Sequence, residues 1–309
     1  MKLARSAGAP EEHGGAERNT VAQSGGPGSR LAVHVRRAAR AQAEITAPLR
    51  LRPSYLIVGA QRCGTTSLHR AVAKHPDVAP PMLRKGLHYF DTQYPKGFAW
   101  YRGHFPLAAP ARLRRAARGT RPISGESSPY YMFHPLAPER IVADLPDVRL
   151  IVMVRDPVER AWSAYTHERA RGFETEDFEV ALRLENSRLK GEVERLLADP
   201  GYISLAHRHQ AYVHRGHYVE QLAHLRRLVG PSRLLVVDSQ RFFSTPEKEY
   251  AAAIEFLGLR PWTPQAFERA NARPRADIDN AVRDQLLAHF RPHDEALATF
   301  LGWAPSWMR

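Results

Sequence analysis

The chain has 309 residues, 45 Lys and Arg against 32 Asp and Glu, and a net charge of +13; with 43% hydrophobic and 25% charged residues it can bury a real core. A single cysteine, Cys63, excludes an intramolecular disulfide and argues for a reducing compartment, no apolar run approaches the about 20 residues that span a bilayer, and the N-terminus lacks the apolar core of a secretory signal, so a cytoplasmic location is expected. The basic excess favours anionic partners: nucleic acid, an anionic membrane face, or small molecules bearing phosphate or sulfate.

Residues 1–50 hold eight Lys/Arg and four Asp/Glu, and residues 51–309 hold 37 and 28. Up to Arg30 the chain is rich in Gly, Ser and small polar residues, with almost nothing to bury, so a disordered basic segment is expected over 1–50. Within it, 30–45 has the composition of a short basic helix, which reads as a solvated linker or a peripheral contact with an anionic membrane. A folded domain is expected over 51–309.

Ser54–Gly59 (SYLIVG) is a short apolar run ending in glycine, as in a buried strand. A helix follows from Thr65 to about Lys74, stopped by His75-Pro76. Gly86–Asp91 reads as a strand or strand end, and Pro122–Glu126 as a weak strand leading into Ser127-Ser128-Pro129. A helix is expected over Leu136–Leu145. Arg149–Val154 (RLIVMV) is another buried strand, and Arg155-Asp156-Pro157 then opens a helix to about Arg171, with Asp as N-cap and Pro at the first helical position. Helices are predicted over Phe178–Leu197 and His217–Val229, a fifth strand over Arg233–Asp238, and helices over 246–257 and 279–301. Short apolar strands alternating with helices imply a single α/β domain with a central, mainly parallel sheet flanked by helices. Ligands in such sheets sit at the carboxyl ends of the strands, beside a topological switch point. The clearest strands end in Gly59, Val154 and Asp238, and the residues after the first two are the chemically loaded ones.

Gly59-Ala60-Gln61-Arg62-Cys63-Gly64-Thr65-Thr66 has the frame of a phosphate loop: glycine, four residues, glycine, then hydroxyl residues opening a helix. Such a loop turns its N–H groups inward, and the helix N-terminus favours an anion. The lysine that a nucleoside-triphosphatase places after the second glycine is Thr65 here, and the positive charge sits three places earlier, at Arg62. The loop therefore suits a single phosphate held without metal. A second anion point is Arg155, a rigid fork of donors; Ser163 lies eight residues on, about two helical turns, and can face the same way. Two such points at two strand ends suit a nucleotide with both a 5′- and a 3′-phosphate.

These residues carry a resemblance. Gln61–Thr66 resembles the 5′-phosphosulfate loop, and Arg155–Ser163 (RDPVERAWS) the 3′-phosphate motif, of sulfotransferases that use 3′-phosphoadenosine 5′-phosphosulfate (PAPS); the chain is most similar to the heparan-sulfate type and its bacterial relatives, over roughly 53–309. The resemblance implies PAPS as co-substrate and transfer of a sulfuryl group to a hydroxyl of a carbohydrate, glycolipid or related metabolite, with no metal. It implies that Arg62 stabilises the leaving group, that Arg62, Cys63, Gly64, Thr65, Thr66 and Ser67 hold the 5′ end, and that Arg155 and Ser163 hold the 3′-phosphate. Arg273 and Arg275 are the best match to a basic loop that closes over the nucleotide. The family's Lys-Glu pair reads Lys85-Gly86 here, so its glutamate base is absent. His88, on the same side of an extended strand as residue 86, and Glu126 are the two substitutes; a histidine can accept a hydroxyl proton at neutral pH.

Two other functions fit the sequence less well: a nucleotide kinase with a degenerate phosphate loop, and a basic nucleic-acid-binding protein. The first needs a lysine at Thr65 and magnesium. The second draws only on the charge excess, and no basic-aromatic stripe supports it, so no nucleic-acid partner is expected. His207, His209, His214 and His217 cluster in the sequence, but no carboxylate or cysteine completes a ligand set, so solvated or core histidines are expected.

Overall fold

The computed structural model describes residues 42–81, 86–116, 119–268 and 277–308. Four parallel strands form one sheet: β1 (Tyr55–Gly59), β2 (Gly125–Ser127), β3 (Arg149–Val154) and β4 (Leu234–Asp238), in the order β2-β1-β3-β4. The two central strands are buried almost without interruption, as parallel strands covered on both faces must be. Their side chains Leu56, Ile57, Val58, Leu150, Ile151, Val152 and Met153 make the middle of the main core.

Twelve helices of the described residues flank the sheet: α1 (Thr65–Ala73), α2 (Gly97–Arg102), α3 (Ala108–Ala116), α4 (Ala137–Asp144), α5 (Pro157–Arg169), α6 (Phe178–Leu189), α7 (Glu192–Ala198), α8 (Leu205–His209), α9 (Tyr218–Val229), α10 (Ser239–Ser244), α11 (Pro246–Phe256) and α12 (Asn280–Leu301). A second apolar cluster joins α5, α6 and α12 through Val158, Ala161, Tyr165, Phe178, Val282, Leu286 and Phe290. The chain leaves β1 for β2 on one side and returns to β3 on the other. The switch point therefore lies between β1 and β3, and the crevice expected of an open α/β sheet lies beyond the carboxyl ends of both.

Three expectations need correction. Gly86–Asp91 is not a strand: Gly86 and His88 have φ of 70° and 52°, and a wide helical turn runs over Tyr89–Gln93. Positive φ breaks the pleat of a strand, so the sheet has four strands, not five. The weak strand over Pro122–Glu126 is three residues long and shifted to Gly125–Ser127. The single helix expected over Phe178–Leu197 is two, because Gly191 takes a left-handed conformation (φ 77°) between α6 and α7. The basic segment proposed over 1–50 falls almost wholly outside the described residues.

Candidate active site

The loop after β1 is built from its backbone upward. Ala60 N–H donates to Met153 O at 2.8 Å, so the loop begins pinned to β3. Gly64 caps α1 at φ 89° with no side chain over the helix end, and a Cβ there would meet the Phe243 ring at 2.8 Å. Only glycine fits, and it leaves the first N–H groups of α1 facing the crevice, where the helix dipole favours an anion. Arg62 is also left-handed, at φ 71°. That conformation costs a non-glycine residue about 1–2 kcal/mol, and it aims the guanidinium across the crevice, where Nε donates to Ser163 Oγ at 3.0 Å. The two anion motifs, 101 residues apart, thus meet in a hydrogen bond.

Arg155 follows β3 and Asp156 caps α5, accepting from Val158 N at 2.9 Å and Glu159 N at 3.3 Å. Burial pushes the Asp156 carboxyl up, more than these two donors pull it down. One turn into α5, Glu159 takes Arg155 at 3.3 Å with one oxygen and Arg283 of α12 at 3.0 Å with the other. From below, Tyr218 OH donates to Arg155 O at 2.9 Å. Gln61 is gripped from behind: Arg215, fully buried between the Tyr130 and Phe133 rings, donates to its Oε1. Burial lowers Arg215 to about 10, which still leaves it charged at neutral pH.

His88 stands at the same end of the sheet. Met132 N–H and Ser128 N–H donate to Val58 O and Ile57 O of β1, and His88 N–H donates to Ser128 Oγ at 3.1 Å. The imidazole Nδ1 pairs with Asp91 Oδ2 at 2.7 Å; the His88 side chain is 26% exposed and that of Asp91 is wholly buried. Burial raises the Asp91 carboxyl, but the hydrogen bond and charge of His88 and the N–H of Thr92 outweigh it and hold Asp91 below the usual carboxylate range. His88 Nε2 lies 3.6 Å from where a Cβ on Gly86 would be. The ring therefore lies beside Gly86, in ordinary van der Waals contact with the position of a Cβ. The extended strand invoked for this pairing does not exist; two left-handed residues fold the ring back instead. Glu126 is fully buried, and its Oε2 accepts from Ser128 Oγ at 2.8 Å and Leu87 N at 3.5 Å. Burial pushes its carboxyl up.

A family model for the sulfotransferase domain matches residues 52–271. The chain belongs to the sulfotransferase family. Human heparan sulfate glucosamine 3-O-sulfotransferase 6 is 30% identical over 287 residues, which cover 82% of this chain and 73% of the relative. Human heparan sulfate glucosamine 3-O-sulfotransferase 3B1 is 32% identical over 208 residues, or 67% of this chain and 46% of the relative. Among solved structures, a sulfotransferase from Alicyclobacillus acidocaldarius has a TM-score of 0.62 at 26% identity, covering 84% of this chain and 99% of that one. The enzyme is therefore a sulfotransferase, and the nucleotide-kinase reading falls with the missing lysine at Thr65.

Of the residues expected in this sulfotransferase's site, the structure brings Arg62 and Ser163 into a hydrogen bond, with Gly64 and the buried Thr65 at the start of α1. Cys63 turns away: its side chain is buried, its N–H donates to Ala60 O at 3.2 Å, and burial pushes its thiol up. Ser67 is also buried. Thr66 stays half-buried on the first turn of α1. Lys85, Arg273 and Arg275 lie outside the described residues. Asp91 is a site residue that the sequence does not single out; its one signal is the spacing of three residues from His88. The histidine run of 207–217 disperses: His207 pairs with Tyr130 OH at 2.7 Å, His209 with Glu168 at 3.0 Å and His214 with Glu185 at 2.9 Å.

Proposed function

We propose that this sulfotransferase moves a sulfuryl group from PAPS to a hydroxyl of a carbohydrate or related acceptor. The observation that carries the reading is the Arg62–Ser163 hydrogen bond, because it sets a 5′-phosphate loop and a 3′-phosphate motif side by side at the switch point. The N-terminus of α1 with Thr65 and Thr66 would hold the 5′ end, and Arg155 with Ser163 the 3′-phosphate. The relatives named as heparan sulfate glucosamine 3-O-sulfotransferases support a sugar hydroxyl as acceptor. The lone cysteine supports a reducing, cytoplasmic compartment.

The chemistry follows from the positions. Asp91 takes the Nδ1 proton of His88 in a hydrogen bond and leaves the Nε2 lone pair free, as a buried carboxylate orients a catalytic imidazole. Nε2 takes the acceptor's hydroxyl proton, the acceptor oxygen forms a bond to sulfur, and the bond from sulfur to the bridging oxygen breaks. The electron pair stays on the departing 3′,5′-bisphosphate, where Arg62 meets the growing charge. Glu126 acts as a buried brace that fixes Ser128 and Leu87, and through them the His88 turn.

Transfer of labelled sulfate from PAPS to a panel of glycans and glycolipids tests the proposal. Arg62→Ala should lower kcat on the order of a hundredfold while leaving donor binding nearly intact, the pattern of a group that acts on the transition state. Arg155→Ala should weaken donor binding and affect kcat less. If adenosine 3′,5′-bisphosphate binds no tighter than AMP, the assignment of the 3′ motif is wrong.

A further inference from the structure

Where the start of α9 meets α12, three histidines come together that the sequence keeps far apart. His217 precedes α9, while His289 and His293 lie four residues apart on α12 and so share one face of that helix. One ring nitrogen of each lies within 4.8 Å of the other two. His217 Nε2 and His289 Nε2 are 3.0 Å apart, and the His217 and His293 rings stack at 4.0 Å with 11° between planes. Two ring N–H groups cannot face each other at 3.0 Å, so at least one of that pair presents a lone pair.

We propose that His217, His289 and His293 form a zinc site distinct from the sulfuryl-transfer crevice. Three imidazole nitrogens suit zinc and its late first-row neighbours rather than magnesium or calcium. The set matches the three-histidine arrangement that leaves a fourth position for water. Zinc–nitrogen bonds of about 2.1 Å in a tetrahedron hold ligands about 3.4 Å apart; the 3.0 Å His217–His289 separation is already near that spacing, and His293 must leave its stack on His217 to turn its nitrogen onto the same ion. His289 is exposed and the other two are half-buried, which gives the ion a path from solvent. His214 stands next to His217, with ring centroids 5.6 Å apart, but its Nδ1 is engaged with Glu185. The site joins α12 to the start of α9. There Gly216 packs so tightly on Phe290 and Pro157 that a Cβ would meet them at 2.6 and 3.1 Å. Pro157 opens α5, so a bound ion clamps the helix behind the 3′-phosphate motif.

The proposal is independent of the donor and acceptor assigned above, and its test needs no turnover. Tag-free protein, stripped with a chelator, is titrated with zinc chloride by calorimetry, and with cobalt chloride by visible absorption. One zinc per chain, a higher melting temperature with zinc than without, and the intense visible bands of tetrahedral cobalt are the expected results. H217A, H289A and H293A should each abolish the stoichiometric uptake. H224A, whose ring pairs with Glu139 elsewhere on the surface, should retain it. His289 is exposed, so H289A tests the site without disturbing the packing, and the melting of its zinc-free form checks that it folds. Absence of one-to-one uptake, or uptake that survives the H289A/H293A double variant, would overturn the site.

Discussion

At the scale of single residues, the site turns on Gly86 and His88. This chain has a glycine at 86, and the His88 imidazole lies within van der Waals contact of the position a Cβ there would take. Replacing His88 by Ala should remove the proposed base: kcat should fall, and the acid limb of the pH–rate profile should vanish with it. Asp91→Asn should lower kcat while leaving KM for the donor near its original value, because Asp91 only orients the ring. Should Glu126→Gln abolish turnover while His88→Ala keeps both rate and acid limb, the base is the glutamate. Gly86→Ala is a separate test of conformation: its φ of 70° suits glycine, so the change should cost about 1 kcal/mol of stability in denaturant melts.

At the scale of elements, the cap of α5 links stability to donor binding. Asp156 accepts from two N–H groups of the first turn, and Arg155 precedes it directly. Asp156→Ala should cost about 1 kcal/mol and raise KM for PAPS more than it lowers kcat, since the uncapped first turn carries Glu159, the partner of the Arg155 guanidinium, while the loop after β1 is untouched. Unchanged donor affinity in the destabilised variant would separate the cap from the site. Elements of this kind were legible in the sequence because their signals are local. The runs Leu56–Val58 and Leu150–Val154 read as buried strands, and Asp156-Pro157 reads as a helix start. The segment 86–93 was not legible, because a turn with left-handed His88 is set by bonds to Ser128 and Tyr131, some 40 residues away. Asp91 stayed hidden for the same reason. The break at Gly191 was marked only by the glycine itself.

At the scale of the whole molecule, several buried histidines make the fold sensitive to acid. Burial lowers His134 to about 4 and His207 to about 3, against 6.5 when free. A histidine whose folded pKa is depressed binds its proton more weakly folded than unfolded. It contributes no penalty above pH 6.5, and stability is lost as pH falls from there towards its folded value. His134 lies close under the site: Leu136 N–H donates to its Nδ1 at 3.2 Å, and its ring meets Tyr130 edge-on at 5.4 Å. Urea melts between pH 7 and 4 should show stability falling with acid, and His134→Asn, which keeps an acceptor for Leu136, should flatten part of that fall. The variant's own cost should appear at pH 7, where the histidine is neutral in both states, so the difference between the two slopes isolates the proton. Parallel slopes for the two proteins would show that His134 titrates alike in the folded and unfolded chain, and that the acid sensitivity lies in other groups.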